Sequence, residues 1–457
     1  MMDMTAGEVA EAVGGKLLCG RPDTPLRHVS IDSRSMQGDD LFVPITGAKV
    51  DAHRFIGKAL ETGAAATFTS HHDEAPQPEE NPENKPFIRV PNTLKALQAL
   101  GAVCRSRMKM PFIGITGSVG KTSTREMITA ALAAGRKVTG TAGNSNGQIG
   151  VPLTLTELDD TADIAVMEMG MSLPGEMAVI AAIARPDMAV VTNIGVSHIE
   201  NLGSQEKIRE EKLHITDGFT RKNAVLLNGD DALLGIYRGT KAFRPVFCGL
   251  DEENEYRAEA VRTEAGRTLF TAVTPQGCVE LSLGVPGLHN VRNALMALAA
   301  AAENGVALEP AAEALARYEG FARRLQILTD RPYTIIDDSY NASPDSMKAA
   351  LDVLAAYPTS GRRLAVLADM LELGVESPLY HYQVGKHAAR CGVQMAFLIG
   401  DQIRNAGRAL EEQDIPTAYF SSNEAAALAL AATLKPGDTV LIKGSNGMKL
   451  GELLKEL

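Results

Sequence analysis

The chain predicts an α/β protein of three domains, and three observations carry that expectation. Its 457 residues exceed what one hydrophobic core usually organises and suggest about three domains. From Met108 to about Tyr318, apolar runs alternate with amphipathic ones, the pattern of strands and crossover helices in a parallel, doubly wound sheet. The same alternation restarts after about Glu319. An apolar fraction of 45% is ample for packed cores, so disorder is not expected.

Residues 1–107 form a small α/β unit, with a short strand around Leu41–Ile45 and a polar, proline-bearing stretch, His71–Pro86, expected as an exposed loop. In the segment 108–318, Pro111–Ile115 is a short buried strand, followed by a glycine-bearing turn and an amphipathic helix, Thr122–Ala134, that Gly135 stops. Strands are expected at Ile164–Met169, Met188–Ile194 and Ala224–Leu227, with a helix at Glu176–Ala184 closed by Pro186. Tyr256–Leu283 alternates apolar and polar residues between turns, the signature of an antiparallel β insertion. The segment 319–457 carries strands at Tyr333–Ile336, Arg363–Leu367, Gln394–Ile399, Thr417–Phe420 and Thr439–Ile442. Its helix at Ser343 has a clear start: Ser343 as N-cap, Pro344 at the first helical position and Asp345 in the first turn, where negative charge suits the dipole. No glycine fingerprint follows its first strand, so this unit is not expected to bind a dinucleotide. Two such units place ligands at the carboxyl edges of both sheets, facing one another.

The turn after the first central strand carries the chemistry. In Gly114-Ile115-Thr116-Gly117-Ser118-Val119-Gly120-Lys121-Thr122-Ser123, two glycines let backbone N–H groups face phosphate oxygens. Lys121 supplies a point charge for the β/γ-phosphates, and the Thr122 hydroxyl suits Mg²⁺. The bland alternative is a glycine-rich turn with a surface lysine. Five residues before Gly120 stands Ile115, where the common phosphate loop has glycine; Gly117 makes this a tighter variant. Glu168 closes its strand where a carboxylate would project toward the loop and could ligate Mg²⁺. Thr192, Asn193 and His198 follow the next strand, with His198 equally readable as a surface histidine. Lys212, in the helix-like run Ile208–Ile215, is by itself an ordinary solvated lysine. Asp337-Asp338-Ser339-Tyr340-Asn341 ends a strand with carboxylates, an aromatic ring and an amide that could grip adenosine, or simply cap a turn.

Composition narrows the class. A net charge of −11 without clustered Lys or Arg argues against nucleic acid. The five cysteines, Cys19, Cys104, Cys248, Cys278 and Cys391, have no metal spacing and suit a reducing compartment. With no charge-free stretch of membrane length and no basic-then-apolar leader, a soluble, cytoplasmic protein without membrane insertion is expected. A guanine switch would need an Asn-Lys-x-Asp reader, and none appears.

Taken together, Thr116–Thr122, Gly143-Asn144-Ser145-Asn146-Gly147-Gln148-Ile149-Gly150-Val151-Pro152, Glu168-Met169-Gly170 and Thr192-Asn193-Ile194-Gly195-Val196-Ser197-His198 resemble the Mur ligases of peptidoglycan synthesis, whose shortened phosphate loop matches the Gly117 variant. Asp338–Met347, Asp369-Met370-Leu371-Glu372-Leu373-Gly374 and Lys443-Gly444-Ser445 are similar to the dipeptide-adding branch of that family, with Ser343 and Ala368 standing where Asn and Gly are expected. The resemblance implies an N-terminal precursor-binding domain (1–107), a central P-loop ATPase domain with a β insertion (108–318) and a C-terminal Rossmann-like domain for nucleotide and dipeptide (319–457). The implied activity joins D-alanyl-D-alanine to UDP-N-acetylmuramoyl-tripeptide through an acyl phosphate, yielding ADP and phosphate. A family member adding a single amino acid, or a folylpolyglutamate-type ligase, is the alternative.

The resemblance also implies roles one residue at a time. Gly117, Ser118, Val119, Gly120, Lys121, Thr122 and Ser123 would hold ATP phosphates. Thr122 and Glu168 would serve one Mg²⁺, while His198 and an N-carbamylated Lys212 would serve a second. Asn290 would read adenine; Arg324, Asp338, Tyr340 and Asn341 would meet the nucleotide from the third domain. Ser33 and Arg34 would hold the uridine diphosphate end, Asn144 and Asn146 would flank the precursor's path, and Ser445 would offer a donor to the acceptor's carboxyl. The resemblance leaves the oligomeric state open, with a monomer as the working expectation.

Overall fold

The computed structural model describes residues 3–47, 49–264 and 266–456, in which the chain builds three main sheets. The first has five strands in the order Lys16–Cys19, Phe87–Arg89, Ala66–Thr69, Asp40–Phe42, His28–Ser30, parallel except for the antiparallel edge Lys16–Cys19. The expected strand at Leu41–Ile45 is therefore Asp40–Phe42. Residues 71–86 are loop, as their proline and polar content predicts.

The central sheet has nine strands. Six are mutually parallel, running from Val138–Gly140 through Ile164–Glu168, Phe112–Thr116, Met188–Val191 and Ala224–Asn228 to Arg244–Gly249. Strand alternation serves both faces. Ile113 and Ile115 join one apolar cluster with Met127, Ile128, Leu295 and Leu298, while Phe112 joins the opposite one with Leu155 and Ile180. Burial of such side chains contributes about 1.5–3 kcal/mol each. The stretch 256–283 does form antiparallel strands, but it is no separate excursion. Cys248 and Gly249 pair in parallel with Tyr256 and Arg257, so the hairpins extend the main sheet. The strand Arg244–Gly249 and the helices Leu288–Glu303 and Leu308–Ala316 have no counterpart in the sequence expectation. Helix Leu288–Glu303 is buried on most of its surface, which removes the polar stripe that periodicity reads.

The third sheet runs Gln326–Leu328, Thr334–Asp338, Thr439–Lys443, Arg363–Ala368, Met395–Ile399, Thr417–Phe420, parallel except for the antiparallel edge Gln326–Leu328. Helix Pro344–Ala356 starts as predicted: the Ser343 side chain accepts from the Ser346 N–H, and Ser346 returns the bond to the Ser343 backbone. The carboxyl ends of its strands, at Asp338 and Lys443, face those of the central sheet, at Thr116 and Glu168.

Candidate active site

The turn after Phe112–Thr116 is shaped by two glycines. Gly117 has φ +146° and a Cβ there would lie 1.9 Å from Thr192 Oγ1; Gly120, at φ +85°, is the N-cap of helix Lys121–Leu132. Asn193 holds the turn from the neighbouring strand end. Its carbonyl accepts from the Ser118 N–H at 3.1 Å and its side-chain Oδ1 from the Val119 N–H at 2.9 Å, while Ser118 Oγ accepts from Gly195 N–H. Those two loop amides therefore do not face a phosphate, contrary to the simplest reading of the turn. The amides at the helix start, which have no intrahelical acceptor, are left for an anion.

The half-buried Lys121 donates its ammonium to the Gly117 carbonyl at 2.9 Å. Desolvation, with Arg324 adding repulsion, lowers its pKa from the ordinary lysine value, against the pull of Glu168. Thr122 donates to Glu168 at 2.8 Å, and Asn146 donates to the other Glu168 oxygen at 2.7 Å. This hydroxyl and carboxylate are hard oxygen donors and fit Mg²⁺. Asn144 accepts from Asn146, so the pair is tied to the carboxylate.

Arg324 reaches across from the third domain and donates through Nη2 to Thr122 Oγ1 at 2.9 Å, its guanidinium stacked 4.2 Å from the Tyr340 ring centroid. Its Nε is buried without a hydrogen-bond partner, an N–H that an anionic oxygen would satisfy. Asp338 pairs with Lys443, and its other oxygen accepts from the Leu325 N–H; Lys443 also donates to the Asn341 carbonyl. Asn290 is buried, donates to the Pro286 carbonyl, and is linked through Asn293 to Thr124 on the phosphate-loop helix.

Lys212 departs most from the reading of its residue alone. A lysine on helix Gln205–Leu213 was expected to face solvent, yet it is 1% exposed. No hydrogen bond or ion pair reaches its amine among the described residues. Desolvation pushes its pKa well below the ordinary lysine value, Lys121 pushes further, and Glu211 opposes both. His198 sits at φ +65°, its Nδ1 paired with the Glu372 carboxylate of the third domain.

Other expected residues fall elsewhere. Ser33 is buried, while Arg34 is exposed and forks onto Asp32 at 2.8 and 2.7 Å. Ser445 does not offer a free hydroxyl: it is buried, accepts from the Leu371 N–H and donates to the Ala342 carbonyl, tying three strand-end loops together. Lys443 and Glu372, absent from the sequence-derived site, pair with two of its residues, Asp338 and His198. Both lie in motifs the sequence displays, but a pair between distant segments needs both to be seen together. Asp51, His53 and His71 approach as metal ligands would, yet both His53 nitrogens are engaged, with Asp51 and with the Ser70 N–H. No described helix is long and apolar enough to cross a membrane.

Three family models match the chain: Mur ligase family, catalytic domain, over residues 25–103; Mur ligase middle domain over residues 115–301; and Mur ligase, glutamate ligase domain, over residues 323–446. The UDP-N-acetylmuramoyl-tripeptide--D-alanyl-D-alanine ligase of Bacillus subtilis is 36% identical over 464 residues, covering 100% of this chain and 99% of that protein. The enzyme of the same name from Escherichia coli is 31% identical over 462 residues, with 100% and 99% covered. A crystal structure of MurF from Acinetobacter baumannii matches with a TM-score of 0.90 and 28% identity over 100% of this chain and 99% of that one. MurF ligase from Thermotoga maritima, solved in complex with ADP, matches with a TM-score of 0.82 and 25% identity over 94% and 96%.

Proposed function

Since the chain belongs to the Mur ligase family, we propose that it joins D-alanyl-D-alanine to UDP-N-acetylmuramoyl-tripeptide, the reaction its relatives' names describe, and that it does so with ATP in the cytoplasm. The observation that supports this most is the bond from Arg324 to Thr122: a cation of the third domain meets the phosphate-loop hydroxyl across facing sheet edges.

The chemistry follows from charge. A carboxylate attacking a γ-phosphate is anion meeting anion, so acceleration rests on positioning and on cations over the equatorial oxygens. Lys121 and Arg324 supply two. Mg²⁺, held by Thr122 and Glu168 and a second time by His198 and a carbamate on Lys212, would neutralise further phosphate charge. The carbamate forms when the neutral Lys212 amine attacks CO₂: an N–C bond is made and one proton leaves to solvent. An amine that is buried, unpaired and depressed in pKa is the species that reaction needs. The acyl phosphate is then attacked by the dipeptide amine, and a tetrahedral intermediate collapses to amide and phosphate. Closure of the third domain, with Arg324 over the phosphate loop, keeps water from hydrolysing the acyl phosphate.

Phosphate release in the presence of ATP, UDP-N-acetylmuramoyl-tripeptide and D-alanyl-D-alanine, with each omitted in turn, tests the reading. Release is expected only with all three. Equal release with a single amino acid in place of the dipeptide would transfer the chain to another branch of the family.

A further inference from the structure

The loop that carries His198 is anchored in the third domain as well as in its own. Val196 belongs to the apolar cluster of the third domain, with Met370 and Leu373, and Ile199 packs against that cluster. Between these two anchors the His198 ring meets Glu372, which stands between Met370 and Leu373 on their side of the gap. His198 has φ +65° and Glu372 φ +62°, left-handed conformations uncommon for residues with a Cβ. Two flanking glycines keep the approach open: a Cβ on Gly195 would lie 2.4 Å from Asp345 Oδ2, and one on Gly374 3.4 Å from the Glu200 Cα.

We propose that Glu372 is a positioning residue that holds the His198 ring by accepting its Nδ1–H, leaving Nε2 as the ring's ligand atom, so that the third domain completes a metal site in the central one. Histidine ligands ordinarily donate their second nitrogen to a carboxylate, which fixes tautomer and ring orientation. Here the carboxylate comes from another domain, so closure and ligand orientation become one event. This rests on the reading of His198 as a metal ligand.

The test measures Mn²⁺ binding by paramagnetic resonance, with a non-hydrolysable β,γ-methylene ATP analogue, to the native protein and to Glu372→Ala, Glu372→Gln and His198→Ala. The native protein is expected to bind two ions. Glu372→Ala should weaken one of them about tenfold or more, the usual scale for a lost orienting partner, and leave the other, at Thr122 and Glu168, unchanged. Glu372→Gln, whose amide oxygen still accepts from Nδ1–H, should recover most of the loss. Two native-like ions in Glu372→Ala would overturn the proposal, as would equal weakening of both, which marks a simple domain latch. Two ions retained in His198→Ala, or a native protein that binds one, would instead remove the underlying reading of His198.

Discussion

Two lysines lie buried near the meeting edges of the sheets, and they are buried in opposite ways. Lys443, 2% exposed, ends a strand of the third sheet and is paired with Asp338 and the Asn341 carbonyl. Lys212, 1% exposed, lies on a helix of the central domain with no bonded partner among the described residues. A buried charge without compensation is strongly disfavoured and the group sheds it. The first lysine is therefore a structural cation that holds the Asp338 carboxylate. The second has its pKa driven well below the ordinary lysine value by desolvation and by Lys121, the direction a nucleophilic amine needs. Burial alone does not distinguish structure from chemistry; the partner does.

The sharpest way to break this comparison is to remove the amine. Lys212→Ala should lower turnover by about 10³-fold, the scale of a lost group beside transferring phosphate. Millimolar acetate or formate, small enough to enter the vacated space, should return part of it. Full turnover in the variant would make Lys212 as bland as its residue type suggests. Stability should move the other way between the two sites. Lys443→Met leaves Asp338 buried without its cation and should destabilise by about 3–5 kcal/mol, whereas Lys212→Met removes an unpaired amine and should change stability by less than about 1 kcal/mol. Urea midpoints at pH 7 check both, and similar losses in the two variants would erase the distinction.

Arg324→Ala removes one cation and should cost about 10–100-fold in kcat/KM for ATP without changing the thermal midpoint. A kinetically native variant would mean that the contact with Thr122 has no role in closure. The smallest effect concerns His289, half-buried and near Lys443, whose pKa burial lowers to about 4 with help from Lys443 and Arg292. Its folded value lies below the unfolded one of about 6.5, so the unfolded chain takes the proton first. Stability is thus fully present above about pH 6.5 and falls as pH drops toward 4, by about 1–2 kcal/mol after allowance for partial exposure. In His289→Gln, denaturant midpoints should lose that part of their slope between pH 6.5 and 4.

Local signals made much of this legible. Gly117, Gly120, Lys121 and Thr122 announce a phosphate loop because turn geometry and charge are encoded within a few residues. Ser343-Pro344-Asp345 announces a helix start for the same reason. Helix Leu288–Glu303 and the sheet extension at Tyr256 were less visible, since both are decided by what packs against them. The polarity of Lys212 hid its burial altogether, and only the family resemblance singled it out. Ser445 shows the converse: a hydroxyl in a suggestive motif is spent on holding loops. The pairs Asp338 with Lys443 and His198 with Glu372 join residues more than 100 apart in sequence, beyond the reach of any spacing rule.

The distinction between the two lysines is tested most directly by carbon NMR of the protein equilibrated with ¹³C-bicarbonate. The account predicts one carbamate resonance that is lost in Lys212→Met and kept in Lys443→Met. A native protein with no such resonance, under conditions where it forms product at its full rate, would contradict it.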